Sequence, residues 1–291
     1  EIALKSFVER KLLGEICMPV VGLQTGDNKR FVRSWSEVSF KKINFYCNTS
    51  SDAIESKCKW FPYNKGGEYR KWYGNNNDVV NWENNGYEIK NIKDNLGKIR
   101  SRPQNENYYF REGIVYSLFG FENFGVRYKE NGFLFDVSGS SLFPENWEII
   151  LAYLCSNVSF YFLKALAPTV NFQVGDLARI PLPDLNIEEK NNVNYLSRCC
   201  VDIVKESWDS SELSWNFKKQ NVMSWKNLSF SDAVANFLNY QFKKRELLRS
   251  YEEQINLIMI NNFELKDEVS KTVLDRDLSL DISSEKKVCK D

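Results

Sequence analysis

The stretch from Lys57 to Arg111 holds eleven Lys and Arg against six Asp and Glu, in a chain whose totals of 39 and 39 balance. Within it run Trp60-Phe-Pro-Tyr-Asn-Lys-Gly-Gly-Glu-Tyr-Arg-Lys-Trp-Tyr-Gly-Asn-Asn-Asn77 and Lys98-Ile-Arg-Ser-Arg-Pro-Gln-Asn105. Cations neutralise phosphates, aromatic rings stack or wedge, and carboxamides pair bidentately with adenine, so the mixture suits duplex DNA. Lys65, Arg70 and Lys71 flank Gly66-Gly67, where a pliable backbone can approach a sugar-phosphate chain, and are expected on phosphate. Asn75, Asn76 and Gln104 match adenine N6 and N7, and Arg100 and Arg102 match guanine O6 and N7; these five are expected on bases. Two other readings of the same residues stay open. The aromatic rings can be core, with Asn75-Asn76 forming a tight turn after Gly74, or Trp, Tyr and Asn can line a sugar site.

Other chemistry is excluded by what is missing. The chain has no His, which removes the commonest general base and metal ligand. It has no Gly-x-Gly for a dinucleotide or S-adenosylmethionine turn, and no adjacent prolines, hence no Asn-Pro-Pro-Tyr motif to hold a flipped adenine. No catalytic, cofactor-binding or metal residue is therefore assigned. Pro183-Asp184 with Glu188-Glu189-Lys190 superficially matches a metal-nuclease pattern, but the carboxylates stand at an expected helix start, where acids are favourable anyway. Seven Cys without Cys-x-x-Cys spacing read as reduced thiols of a cytoplasmic protein. The apolar run Ile149–Val170 contains Ser156, Asn157, Ser159 and Lys164 and reads as a buried helix, so no membrane partner is expected.

The elements that must carry these residues fall into an α+β pattern. Residues 1–13 read as the remnant of an upstream helix or linker, and 14–145 as a mixed, β-rich recognition domain. In it, Asn85-Gly86 and Asn131-Gly132 predict two-residue hairpins, the first joining Val79–Trp82 to Tyr87–Ile89, the second Val126–Lys129 to Phe133–Asp136. Residues 146–262 read as a helical docking region. Helices are expected over Trp147–Leu166, Asn186–Trp208 with a cap-like Asn186-x-x-Glu189, and Ser229–Asn262, the last a long C-terminal arm. The first and third carry more apolar positions than a free helix needs, which predicts an exposed docking patch. Residues 263–291 read as a polar tail.

Longer motifs carry a family resemblance. Trp60–Tyr73 followed by Val79-Val-Asn-Trp-Glu83, and Tyr108-Tyr-Phe-Arg-Glu-Gly-Ile114, resemble the PglX-type adenine-specific DNA methyltransferases of BREX bacteriophage-exclusion systems. Gly22-Leu-Gln-Thr-Gly-Asp-Asn28 with Phe31 looks like the motif that comes after the catalytic domain in that family and its type IIG restriction-modification relatives. The likeness continues through Asn171-Phe-Gln-Val-Gly-Asp176, Ile180-Pro181, Ser214-Trp-Asn-Phe217 and Tyr251-Glu-Glu-Gln-Ile255. It implies a parent enzyme that transfers a methyl group from S-adenosyl-L-methionine to adenine N6 in phage defence. The cofactor and Asn-Pro-Pro-Tyr motifs would then lie upstream of Glu1, leaving this chain a TaqI-like target-recognition domain with its helical region, inactive alone. Its expected partners are double-stranded DNA and the upstream methyltransferase domain. A stand-alone DNA-mimic or decoy protein with the same fold, or a carbohydrate-binding module, are the alternatives.

Overall fold

A computed structural model describes residues 2–120, 123–167 and 171–280 of the 291. The N-terminal helices α1 (Ile2–Glu9), α2 (Leu13–Ile16) and α3 (Asn28–Phe31) lead into a four-stranded sheet. Its strands are β1 (Val32–Ser34), β2 (Trp60–Asn64), β3 (Asp78–Asn81) and β6 (Leu134–Phe135), ordered β1-β3-β2-β6. Helices α4 (Ser50–Glu55) and α5 (Glu83–Lys90) pack beside it. Every residue of β2 is buried. Pro62 has no N–H to donate, and the parallel pairing with β6 begins only beyond it, at Tyr63 and Asn64.

A second sheet, ordered β5-β4-β7, comprises β4 (Gly113–Tyr116), β5 (Val126–Lys129) and β7 (Ser141–Leu142). It shares one apolar core with α6 (Trp147–Cys155), α7 (Asn157–Leu166), α9 (Ile187–Asp209) and α10 (Phe230–Phe263), while α8 (Val174–Ala178) packs on α2 and α7. The capping box at Asn186 and Glu189 forms as expected, each side chain accepting from the other's backbone N–H at about 3 Å. Those acids start a helix, and no group of three Cys, Asp or Glu side chains is placed to hold a metal among the described residues. Along α9 the expected face of Val193, Leu196, Cys200 and Ile203 is buried.

Several local expectations are corrected. Neither hairpin forms. Asn84, Asn85 and Gly86 do adopt positive φ, but as a kink inside α5, so Tyr87–Ile89 is helical. At Asn131-Gly132 the backbone turns with Gly132 at φ +97°, yet β5 leaves to pair with β4 and β6 with β2. The run Trp147–Leu166 is two helices bent by 71° at Ser156, whose hydroxyl accepts from Ser159 N to cap α7. The apolar side chains of α6 are covered by this chain's own core, so the exposed patch expected there is absent; α10 does leave Phe230 and Phe242 exposed. Residues 264–280 are not a frayed tail: Leu265, Val273, Leu278 and Leu280 are buried in the helical core. The remainder of that expected tail lies outside the described residues. No single helix among those described is long and apolar enough to cross a membrane.

Candidate nucleic-acid interface

After α5 the chain doubles back on itself between Ile92 and Arg102. Arg100 N donates to Ile92 O at 3.0 Å, and Asp94 N donates to Lys98 O at 2.9 Å. Asp94 Oδ1 accepts from both Leu96 N and Lys98 N at 2.9 Å, and Gly97 takes φ +78°, so a side-chain-closed turn makes the tip. Lys93, Lys98, Arg100 and Arg102 are all exposed on this finger, and none is in an ion pair among the described residues. Nearby cations differ: Lys90 pairs with Glu106 at 2.6 Å, and Arg30 pairs with Glu88 at 3.0 Å, lowering that carboxyl by its hydrogen bond.

The base of the finger is fixed by the Gly22-Leu-Gln-Thr-Gly26 segment. Gln24 and Arg102 exchange both backbone hydrogen bonds, at 3.1 and 2.7 Å. A Cβ on Gly22 would lie 1.9 Å from Phe135 O; one on Gly26, at φ +75°, would lie 2.8 Å from the carbonyl carbon of Arg100. Both positions therefore require glycine. Gln104 Nε2 donates to Gly22 O at 3.2 Å and Asn105 Nδ2 to Val21 O at 2.8 Å. Beneath, the Tyr63 hydroxyl lies between Leu23 O at 2.9 Å and Asp136 Oδ2 at 2.6 Å. Burial and the Asp136 charge raise its pKa, keeping it a neutral donor.

The other candidates lie elsewhere, and all but Lys65 make side-chain hydrogen bonds within the chain. Lys71 is buried, its ammonium on Glu252 of α10, and Trp72 Nε1 donates to the same carboxylate at 2.7 Å. Burial opposes charge on Lys71, but Glu252 outweighs it and holds the ammonium protonated. Arg70 lies 5.1 Å over the Trp208 ring and donates to Ser279 O at 3.4 Å. Lys65 is half-buried beside Asp78, opposing the upward push that burial gives that carboxyl. Asn75 takes φ +58°, the turn geometry of the alternative reading, and donates to Gly66 O and Glu68 O at 3.1 and 2.8 Å. Asn76 is buried and accepts from Asn64 Nδ2 at 3.1 Å. A Cβ on Gly66 would lie 2.4 Å from Ser138 O, so this glycine lets two parts of the chain touch.

The structure thus brings Arg100, Arg102 and Gln104 together and separates them from Lys65, Arg70, Lys71, Asn75 and Asn76. It adds Lys93 and Lys98, which the sequence reading passed over; Asp94-Asn-Leu-Gly97, a turn pattern between two lysines, was the available signal.

An α+β fold with an exposed basic finger, its base tied to the Gly22–Gly26 segment, defines the class. Sequence comparison adds the particular relationship. No family profile matches the chain. Over 268 residues it is 37% identical to the adenine-specific methyltransferase PglX of Lacticaseibacillus casei (strain Zhang), covering 89% of this chain and 22% of that protein. Over 264 residues it is 35% identical to the adenine-specific methyltransferase BrxX of Escherichia coli O9:H4 (strain HS), covering 88% and 20%. The chain is a homologue of one region of these adenine-specific methyltransferases, and spans about a fifth of the length of the curated relatives it matches.

Proposed function

We propose that the chain is the sequence-specific DNA-recognition region of an adenine-N6 DNA methyltransferase of phage defence, acting in the cytoplasm, with methyl transfer performed by another domain of the parent polypeptide. The observation that carries this reading is the finger Ile92–Arg102: four exposed cations in no ion pair among the described residues, on a backbone tied at its base by paired hydrogen bonds. Arg100 and Arg102 supply the fork that matches guanine O6 and N7, Gln104 flanks them, and Lys93 and Lys98 are placed for phosphate. The parent would use S-adenosyl-L-methionine. This chain's residues do not fit that group: among the described residues no strand opens through a glycine-rich turn into a helix, and the only parallel strand pairing spans two residue pairs.

The second partner is the methyltransferase domain of the same polypeptide, for which Leu4 and Val8 on α1 and Phe230 and Phe242 on α10 are exposed apolar contacts. Equilibrium binding of duplex DNA across salt concentrations tests the reading. Affinity should fall steeply with salt, because phosphate contacts release counterions. Binding that ignores salt, or that a neutral oligosaccharide displaces, would contradict it.

A further inference from the structure

Away from the finger, three segments distant in sequence line a half-open cavity of about 490 Å³, within the size range of small-ligand sites. Its aromatic lining is Phe45, Tyr46, Tyr128, Phe133 and Trp215; Tyr46 is 79% exposed, and the Phe133 and Trp215 ring centroids lie 5.7 Å apart. Asn48, Asn131 and Asn216 supply carboxamides. Those of Asn48 and Asn216 make no internal side-chain hydrogen bond among the described residues, and Asn131 uses only Oδ1, accepting from Glu112 N at 2.7 Å. Behind them Lys205 pairs with Glu130 at 2.8 Å and with Asp209 at 3.8 Å, and Tyr73 OH also donates to Glu130, so the one cation of the floor is already held by carboxylates.

A floor whose cation is already paired offers nothing to a phosphate, whereas faces to stack on and amides to pair with an edge suit a planar heterocycle. Cations flank the lining residues in sequence. Lys41 and Lys42 shortly precede Phe45, and Lys218 and Lys219 come just after Asn216; all four are exposed and in no ion pair among the described residues. A neutral sugar would make no use of them. We propose that this cavity captures one unstacked nucleobase of a DNA strand, with the flanking phosphates held by Lys41–Lys42 and Lys218–Lys219. The inference rests on the reading of the chain as a DNA-recognition region, but assigns to it a second, base-specific site outside the finger.

The test compares two fluorescent duplexes titrated with the 291-residue chain: one fully paired, one identical but for a single bulged adenine. The bulged duplex should bind about tenfold more tightly, the value of one stacked base. Tyr46→Ala, at an exposed position that folding does not need, and Trp215→Ala should abolish that preference while leaving the paired duplex unaffected. Equal affinity for the two duplexes, or a preference that survives Tyr46→Ala, overturns the cavity proposal and leaves the finger reading standing. Binding of the bulged duplex alone supports the cavity and contradicts the finger; binding of neither contradicts both. Displacement of the bulged duplex by maltotriose would assign the cavity to carbohydrate and overturn the proposal.

Discussion

The segments Asn64–Asn77 and Ile92–Arg102 both carry cations and put them to opposite use. The first has three Lys and Arg with four Asn and three Gly, the second four Lys and Arg with one Asn and one Gly. In the first, Lys71 is buried on Glu252, Arg70 lies on Trp208, and Asn75 and Asn76 close the loop upon itself. In the second, the only acid, Asp94, is occupied by backbone N–H groups at the tip, and the cations face solvent. The difference arises from what stands opposite. A long helix brings Glu252 against the first loop, whereas the second meets the backbone of Gln24 and Gly26.

Breaking the comparison on its inward side should have the largest effect. Lys71→Ala leaves the Glu252 carboxylate buried without its counter-ion and should cost about 3–5 kcal/mol in chemical denaturation, with Lys71→Met plus Glu252→Leu recovering much of the loss. Asn76→Ala, which orphans the Asn64 amide, should cost about 1–3 kcal/mol and leave the DNA sequence preference of the folded protein unchanged. An altered preference in folded Asn76→Ala protein would return that residue to the reading surface.

Lys129 extends the comparison to a cation with no acid opposite. It is buried on β5, donates to Arg111 O at 2.7 Å and lies over the rings of Phe135 and Phe143; desolvation lowers its pKa from 10.5 to about 7. Between those two values the unfolded chain holds a proton that the folded chain has released, so this group makes stability rise with pH from about 7 to 10.5. Lys129→Met should lose that slope and gain about 1 kcal/mol or more at pH 7. Parallel pH profiles for the two proteins would show that Lys129 is not desolvated. The smallest structural effect belongs to the finger: Lys98→Ala should alter stability by less than about 0.5 kcal/mol while lowering the salt slope of DNA binding by about one unit.

How far the sequence could be read depended on the range of the interactions concerned. Asn186 and Glu189 stand three residues apart and cap one another, so the start of α9 was legible, as was the extent of α10. Asn85-Gly86 was misleading because left-handed residues serve a helix kink as well as a hairpin, and distant partners decide whether the chain beyond them becomes helix or strand. Leu265, Val273, Leu278 and Leu280 have no helical or strand period, so their docking onto the helical core left no pattern. Residue type alone did not tell the inward cations from the outward ones, because Lys71 meets its carboxylate 181 residues away.

The most direct measurement is duplex binding by the double variant Arg100→Ala with Arg102→Ala. The duplexes should carry the adenine-methylated sequence of the genome encoding the chain, with a scrambled control, at several salt concentrations. The parent chain should prefer the methylated sequence, and the double variant should lose about 1–3 kcal/mol of that preference per base contact while remaining as stable as the parent. An unchanged ratio of cognate to scrambled affinity in the folded double variant would contradict base reading by the finger.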